Sequence, residues 1–224
     1  MRKLLLALFL APLAAAAQAP ETLFNLVSLN AQAEREIAND LLTATLAAEA
    51  EGADPAPLAD SVNRAMQRAL ATALGYKSVK TQSAGYQTIP LYDKNRVARW
   101  RVRQELRLES ADVAAATELI GKLQASLIVT GMSLSVSGET RRKAENALIA
   151  EALAAFEDRA RVVRDAMKAK GYRVKDLQIS SGGASRLPVM MQAHALSAES
   201  VALPAVEPGS SRIVITVSGT LQLQ

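Results

Sequence analysis

The chain has 224 residues, half of them hydrophobic, with no cysteine, one histidine, and 26 Lys+Arg against 22 Asp+Glu. Zero cysteines exclude disulfides and thiol chemistry, and a single histidine leaves few options for general-base catalysis. The formal charge of +4 falls to +2 once Arg2 and Lys3 are set aside, so the composition does not call for nucleic acid.

Arg2 and Lys3 precede the apolar run LLLALFLAPLAAAA over 4–17. That run is short of the roughly 20 residues a membrane span needs, and Ala15-Ala16-Ala17 fits an A-x-A cleavage site. The reading is a signal peptide over 1–17, with cleavage as late as residue 19 as the other choice, and a periplasmic destination. A single domain is expected over 20–224. No later apolar run approaches 18 residues, so no transmembrane segment is expected after cleavage.

Residues 24–37 and 40–50 alternate apolar and polar, the signature of half-buried strands, with Asn39-Asp40 read as a turn between them. A helix is expected from Asp54, a good N-cap ahead of Pro55, with Leu58, Val62, Met66, Leu70 and Leu74 as its stripe. Gly75 is placed as its left-handed C-cap, and Tyr76 as the residue covering the last turn. Residues 77–92 and 96–109 form a hairpin. In its second arm Trp100, Val102, Leu106 and Leu108 share one face, and Arg99, Arg101, Arg103, Glu105 and Arg107 the other. A shorter helix is expected over 111–125, started by Ser110 or Asp112, and a strand over 127–137.

A long helix over 139–170 carries Ile149, Ala152, Leu153, Phe156, Val163 and Met167. It is expected to end at Gly171, with Tyr172 covering Met167. Strands are expected over 173–180 and 211–223. Residues 181–210 hold three prolines and no sustained period, an irregular excursion of the kind that serves function or disorder. The fold class is α+β: mostly antiparallel sheet with helices packed on it, built from two related strand–helix–hairpin halves.

This order resembles the SIMPL-domain family of exported bacterial proteins, which includes periplasmic immunogenic proteins. The resemblance runs over roughly 24–223. It rests on the signal peptide, the paired N-terminal strands, VNRAMQRALATALGYKSVKTQSAGYQTIPLY, WRVRQELRLESAD, AENALIAEALAAFEDRARVVRDAMKAKGYRVKDLQIS and the closing SSRIVITVSGTLQLQ. The family often has Pro-Asp where this chain has Asn39-Asp40, and a glycine-richer first strand, which marks a divergent member. The resemblance implies an envelope protein without established catalytic residues. It also implies association with stress tolerance in some members and assembly into large rings in others.

The sequence holds no Walker loop, no G-x-G-x-x-G and no H-E-x-x-H. GMSLS over 131–135 starts like a nucleophile elbow but lacks the second glycine, and a Ser-His-Asp triad would have to use His194. Met190, Met191 and His194 are the only soft-ligand cluster, of a kind that suits Cu(I); the alternative role for the methionines is gap filling. The Arg99, Arg101, Arg103 and Arg107 face is a candidate surface for a subunit, an envelope protein or an anionic envelope component. Glu105 and neighbouring acids are expected to neutralise much of it. Glu34/Glu36 and Glu49/Glu51 are read as solvated pairs. The expectation is a protein that is not an enzyme and uses no cofactor, self-assembling or binding envelope partners, with envelope or oxidative stress tolerance as its setting. The alternative is a small-ligand or copper-binding module using 181–210.

Overall fold

The computed structural model describes residues 24–182 in full, the backbone of 183–186, and residues 209–224. In chain order the elements are β1 (Leu26–Ala38), β2 (Leu41–Gly52), α1 (Pro55–Ala73), β3 (Lys80–Asp93), β4 (Arg96–Ser110), α2 (Val113–Leu123), β5 (Ile128–Ser135), α3 (Gly138–Ala166), β6 (Tyr172–Arg186) and β7 (Ser210–Leu223). The architecture is α+β, with antiparallel pairing throughout. One sheet has the order β3-β4-β2-β5 and the other β1-β7-β6.

The four-stranded sheet follows from period-two patterning. Leu42, Ala44 and Leu46 of β2 and Val102, Leu106 and Leu108 of β4 point to one side and are fully buried. Helices α1 and α2 cover that side through Val62, Met66 and Ala69, and through Ala116, Leu119 and Ile120. Asp54 accepts from the Ala56 amide at 3.1 Å and Asp112 from Ala115 at 3.0 Å, so both helices start on a capped first turn. In β5 a register shift after Thr45 of β2 turns Val129 inward and leaves Ile128 exposed, against the simple alternation expected there.

The three-stranded sheet buries Ile213, Ile215, Val217 and Leu221 of β7 against α3. The buried helix positions are Ala144, Leu148, Ala152, Phe156 and Ala160, spaced by four. Their three alanines bring helix and sheet close together. Gly219 is part of that fit: a Cβ there would lie 2.6 Å from the Asp176 carbonyl oxygen and 3.1 Å from the Phe156 ring.

Both expected glycine caps are corrected. Gly75 is not left-handed; α1 ends in αR at Leu74, and short turns from Thr72 to Gly75 and from Ala73 to Tyr76 lead out. Leu74 is 82% exposed rather than part of the core stripe, while Tyr76 does pack on that core. For α3 the left-handed residue is Lys168, with φ 54°. The amides of Lys168 and Ala169 return to the carbonyls of Asp165 and Arg164, the double bond of a Schellman ending. Gly171 instead pairs with Gln224 beside β7, Tyr172 starts β6 against the core, and Met167 stays 65% exposed.

A helix followed by an antiparallel hairpin occurs twice, as α1-β3-β4 and α3-β6-β7. The strand ahead of each helix differs. β2 joins the hairpin of its own half, whereas β5 joins β2, and β1 fills the corresponding place beside β7. Asn39-Asp40 is therefore not a hairpin turn, because β1 and β2 belong to different sheets. Asp40 marks the crossing. Its carboxylate accepts from the Ser137 amide (2.5 Å), the Ser137 hydroxyl (2.9 Å) and the Thr140 hydroxyl (2.5 Å) at the start of α3. Burial pushes this carboxyl up, but the Thr140 and Ser137 hydrogen bonds outweigh it and hold it below the ordinary aspartate range. The segment expected to be irregular from 181 is strand as far as Arg186.

Candidate interaction surfaces

The outer side of the four-stranded sheet gathers Arg99, Arg101, Arg103 and Arg107 in one row, and the register sets acids beside them. Glu49 of β2 lies opposite Arg103 and Glu51 opposite Arg101. Arg101 donates from Nε to Glu51 at 2.6 Å and lies 3.3 Å from Glu49. Arg103 reaches Glu105 at 2.8 Å and Glu49 at 3.4 Å, Arg107 reaches Glu109 at 2.9 Å, and Arg99 stands 4.0 Å from Glu51. Hydrogen bonding from Glu51 holds the Arg101 guanidinium above its usual range. The row is an alternating charge ladder rather than an anion cradle. Sequence reasoning found the arginines and Glu105. It missed the role of Glu49 and Glu51, because that depends on the β2–β4 register.

Glu34 and Glu36 lie 3.8 and 3.7 Å from Arg212 across the β1–β7 pair. GMSLS lies within β5, so no strand-to-helix elbow forms at Ser133. Met190, Met191 and His194 lie outside the described residues. Among the described residues no group of three or more His, Cys, Asp or Glu could hold a metal ion.

An open groove of about 570 Å³ runs between the end of α1 and the start of β3, lined by Leu70, Leu74, Tyr76, Val79 and Thr81 among others. Thr81 Oγ1 is buried there without a hydrogen-bond partner. At its margin Tyr76 donates to Glu118 at 2.7 Å, and Lys122 sits 5.1 Å above the Tyr76 ring and 2.9 Å from Glu118. Tyr76 and Glu118 hold the Lys122 ammonium above its usual range. This cluster ties the α1 exit to α2.

The sheet edges differ in how they are protected. β3 has register shifts at Ala84/Tyr86 and Leu91/Tyr92 and carries Pro90; β5 is only 8 residues long. Side chains tie β1 to α3: Arg159 donates to the main-chain oxygen of Asn30, and Arg35 pairs with Glu151. β6 is different. Val174, Leu177 and Ile179 lie opposite Leu221, Gly219 and Val217, on the side that α3 covers. The helix packs on β1 and β7 and barely reaches β6. Those three side chains stay 43–44% exposed, and between its two register shifts β6 runs regularly from Asp176 to Gly182.

Among the described residues no helix is long and apolar enough to cross a membrane. No curated protein matches the chain. The model of the SIMPL family, described as a protein of unknown function (DUF541), matches residues 27–221. That span takes in nearly all of both sheets and every helix among the described residues, and the chain belongs to the SIMPL family.

Proposed function

We propose that the protein works without catalysis, as an exported periplasmic protein that assembles with copies of itself or with envelope partners through its β6 edge. The single observation behind this reading is that, among the described residues, β6 is an edge strand and its apolar strip, Val174, Leu177 and Ile179, is not covered. Edge strands invite pairing unless something blocks them. Here strand addition would satisfy the edge and cover the strip at once. The charge ladder supports the same reading by contrast, since its arginines are already answered by glutamates. Tolerance of envelope or oxidative stress is the setting that the resemblance implies.

A native mass spectrum of residues 18–224, purified from a periplasmic extract, tests the reading. The expected wild-type species is an oligomer, and Leu177→Lys/Ile179→Lys is expected to shift it to smaller species without lowering its melting temperature. A wild-type monomer that captures no envelope protein, or an oligomer indifferent to both lysines, would overturn the proposal.

A further inference from the structure

The β3–β4 hairpin outruns its own sheet. β2 ends at Gly52 opposite Trp100, so residues 90–99 extend past the third strand. The tip turns through Lys94 (φ 45°) and Asn95 (φ 65°), both left-handed, as a two-residue hairpin turn that matches strand twist requires. One face of this arm is apolar, and the other sets an apolar side chain beside a cation. Tyr92 lies opposite Val97 on one face, and Leu91 opposite Arg99 on the other. Tyr92 is 66% exposed and Val97 45%; Ile89, 40% exposed, lies just below the arm.

Cations prevail at the tip, with Lys94, Arg96 and Arg99 against Asp93. Lys94 and Arg96 have no ion pair among the described residues, and Arg99 has only the 4.0 Å approach to Glu51. Asp93, the acid on the turn, lies opposite Arg96 across the hairpin. Tyrosine rings with flanking cations suit the boundary between phosphate headgroups and acyl chains. We infer that the tip of the β3–β4 hairpin, Tyr92 and Val97 with Lys94 and Arg96, is a docking wedge for an anionic lipid surface. This goes beyond assembly through β6 and uses different residues.

Trp100, the sole tryptophan, stands half-buried at the base of the arm and reports on it directly. The mature chain, 18–224, is titrated with vesicles of phosphatidylglycerol and phosphatidylethanolamine, or of phosphatidylcholine alone, following Trp100 fluorescence and co-sedimentation. The expected result is a blue shift and sedimentation with the anionic vesicles only. Lys94→Glu/Arg96→Glu is expected to lower partitioning by roughly tenfold or more. Tyr92→Ser/Val97→Ser is expected to lower it at unchanged charge, and Arg64→Glu/Arg68→Glu on the exposed side of α1 to leave it unchanged. All of these positions are at the surface, and an unaltered melting curve checks that each variant folds. The inference is overturned by no binding to anionic vesicles, by equal binding to neutral ones, or by binding indifferent to Tyr92→Ser/Val97→Ser. It is also overturned if that pair breaks up an oligomer instead. A lipid-binding monomer would overturn assembly through β6 and leave the wedge standing.

Discussion

The two sheets solve the same burial problem to different degrees. The four-stranded sheet has two helices over its inner side, and its outer side is neutralised by a ladder in which Arg101 and Arg103 meet Glu49, Glu51 and Glu105. Among the described residues the three-stranded sheet has one helix, which lies over β1 and β7 and barely reaches the third strand. Coverage, not strand quality, separates them, since β7 alternates as cleanly as β4. A sheet finished on both sides is a scaffold. A sheet with one unfinished edge is a place for something to bind.

The largest expected effect tests whether the two cores are separate. Leu106→Ala in one and Leu148→Ala in the other each remove a fully buried side chain, at about 3–5 kcal/mol. Because β1 and β5 each sit in the sheet of the other half, both variants are expected to melt in one transition, shifted down. A two-step melt for Leu148→Ala alone would show the sheets unfolding independently.

How much of this was legible in the sequence follows the range of the interactions. The β4 alternation and the Asp54 cap are local, and both were read directly from the residues. The paired use of Gly75-Tyr76 and Gly171-Tyr172 was not a shared cap. Gly171 is held by the distant Gln224, and Lys168 takes the left-handed position through hydrogen bonds that no tripeptide pattern announces. The placement of β1 and β5 in opposite sheets depends on pairing across 81 to 196 residues. For the candidate surfaces, the arginine row was visible as a pattern. Its neutralisation by β2, and the exposure of β6, depend on register and on where α3 lies.

The next effect separates close packing from open space. Gly219→Ala would drive a Cβ into the Asp176 carbonyl and the Phe156 ring, and is expected to cost about 2–3 kcal/mol. Gly131→Ala in β5 meets nothing within 4 Å and is expected to be neutral or slightly stabilising. Equal melting temperatures for the two variants would contradict the close fit of α3 on β7.

The crossing between the sheets carries a pH dependence. Asp40 is held below the ordinary aspartate range in the folded chain, so its stabilisation is present above the unfolded value near 4 and is lost as pH falls through the lower folded value. Asp40→Ala is expected to cost about 2 kcal/mol at pH 7, through the amide and hydroxyls of Ser137 and Thr140 left without their acceptor. The difference from wild type should narrow below about pH 4. A gap that stays constant down to pH 2, followed by chemical denaturation, would remove Asp40 from the link.

The smallest effect belongs to the finished face. Arg101→Ala removes the best-placed rung of the ladder, yet the pair is open to water and salt. Such surface pairs contribute little to stability. The variant is therefore expected to melt within a few degrees of wild type, to lose even that difference in 1 M salt, where screening shortens to about 3 Å, and to keep the wild-type oligomeric state. That last outcome decides most. If Arg101→Ala disrupted assembly while Leu177→Lys/Ile179→Lys did not, the roles of the two sheets would be reversed, and the ladder would have to open its Glu49 and Glu51 pairs to meet a partner.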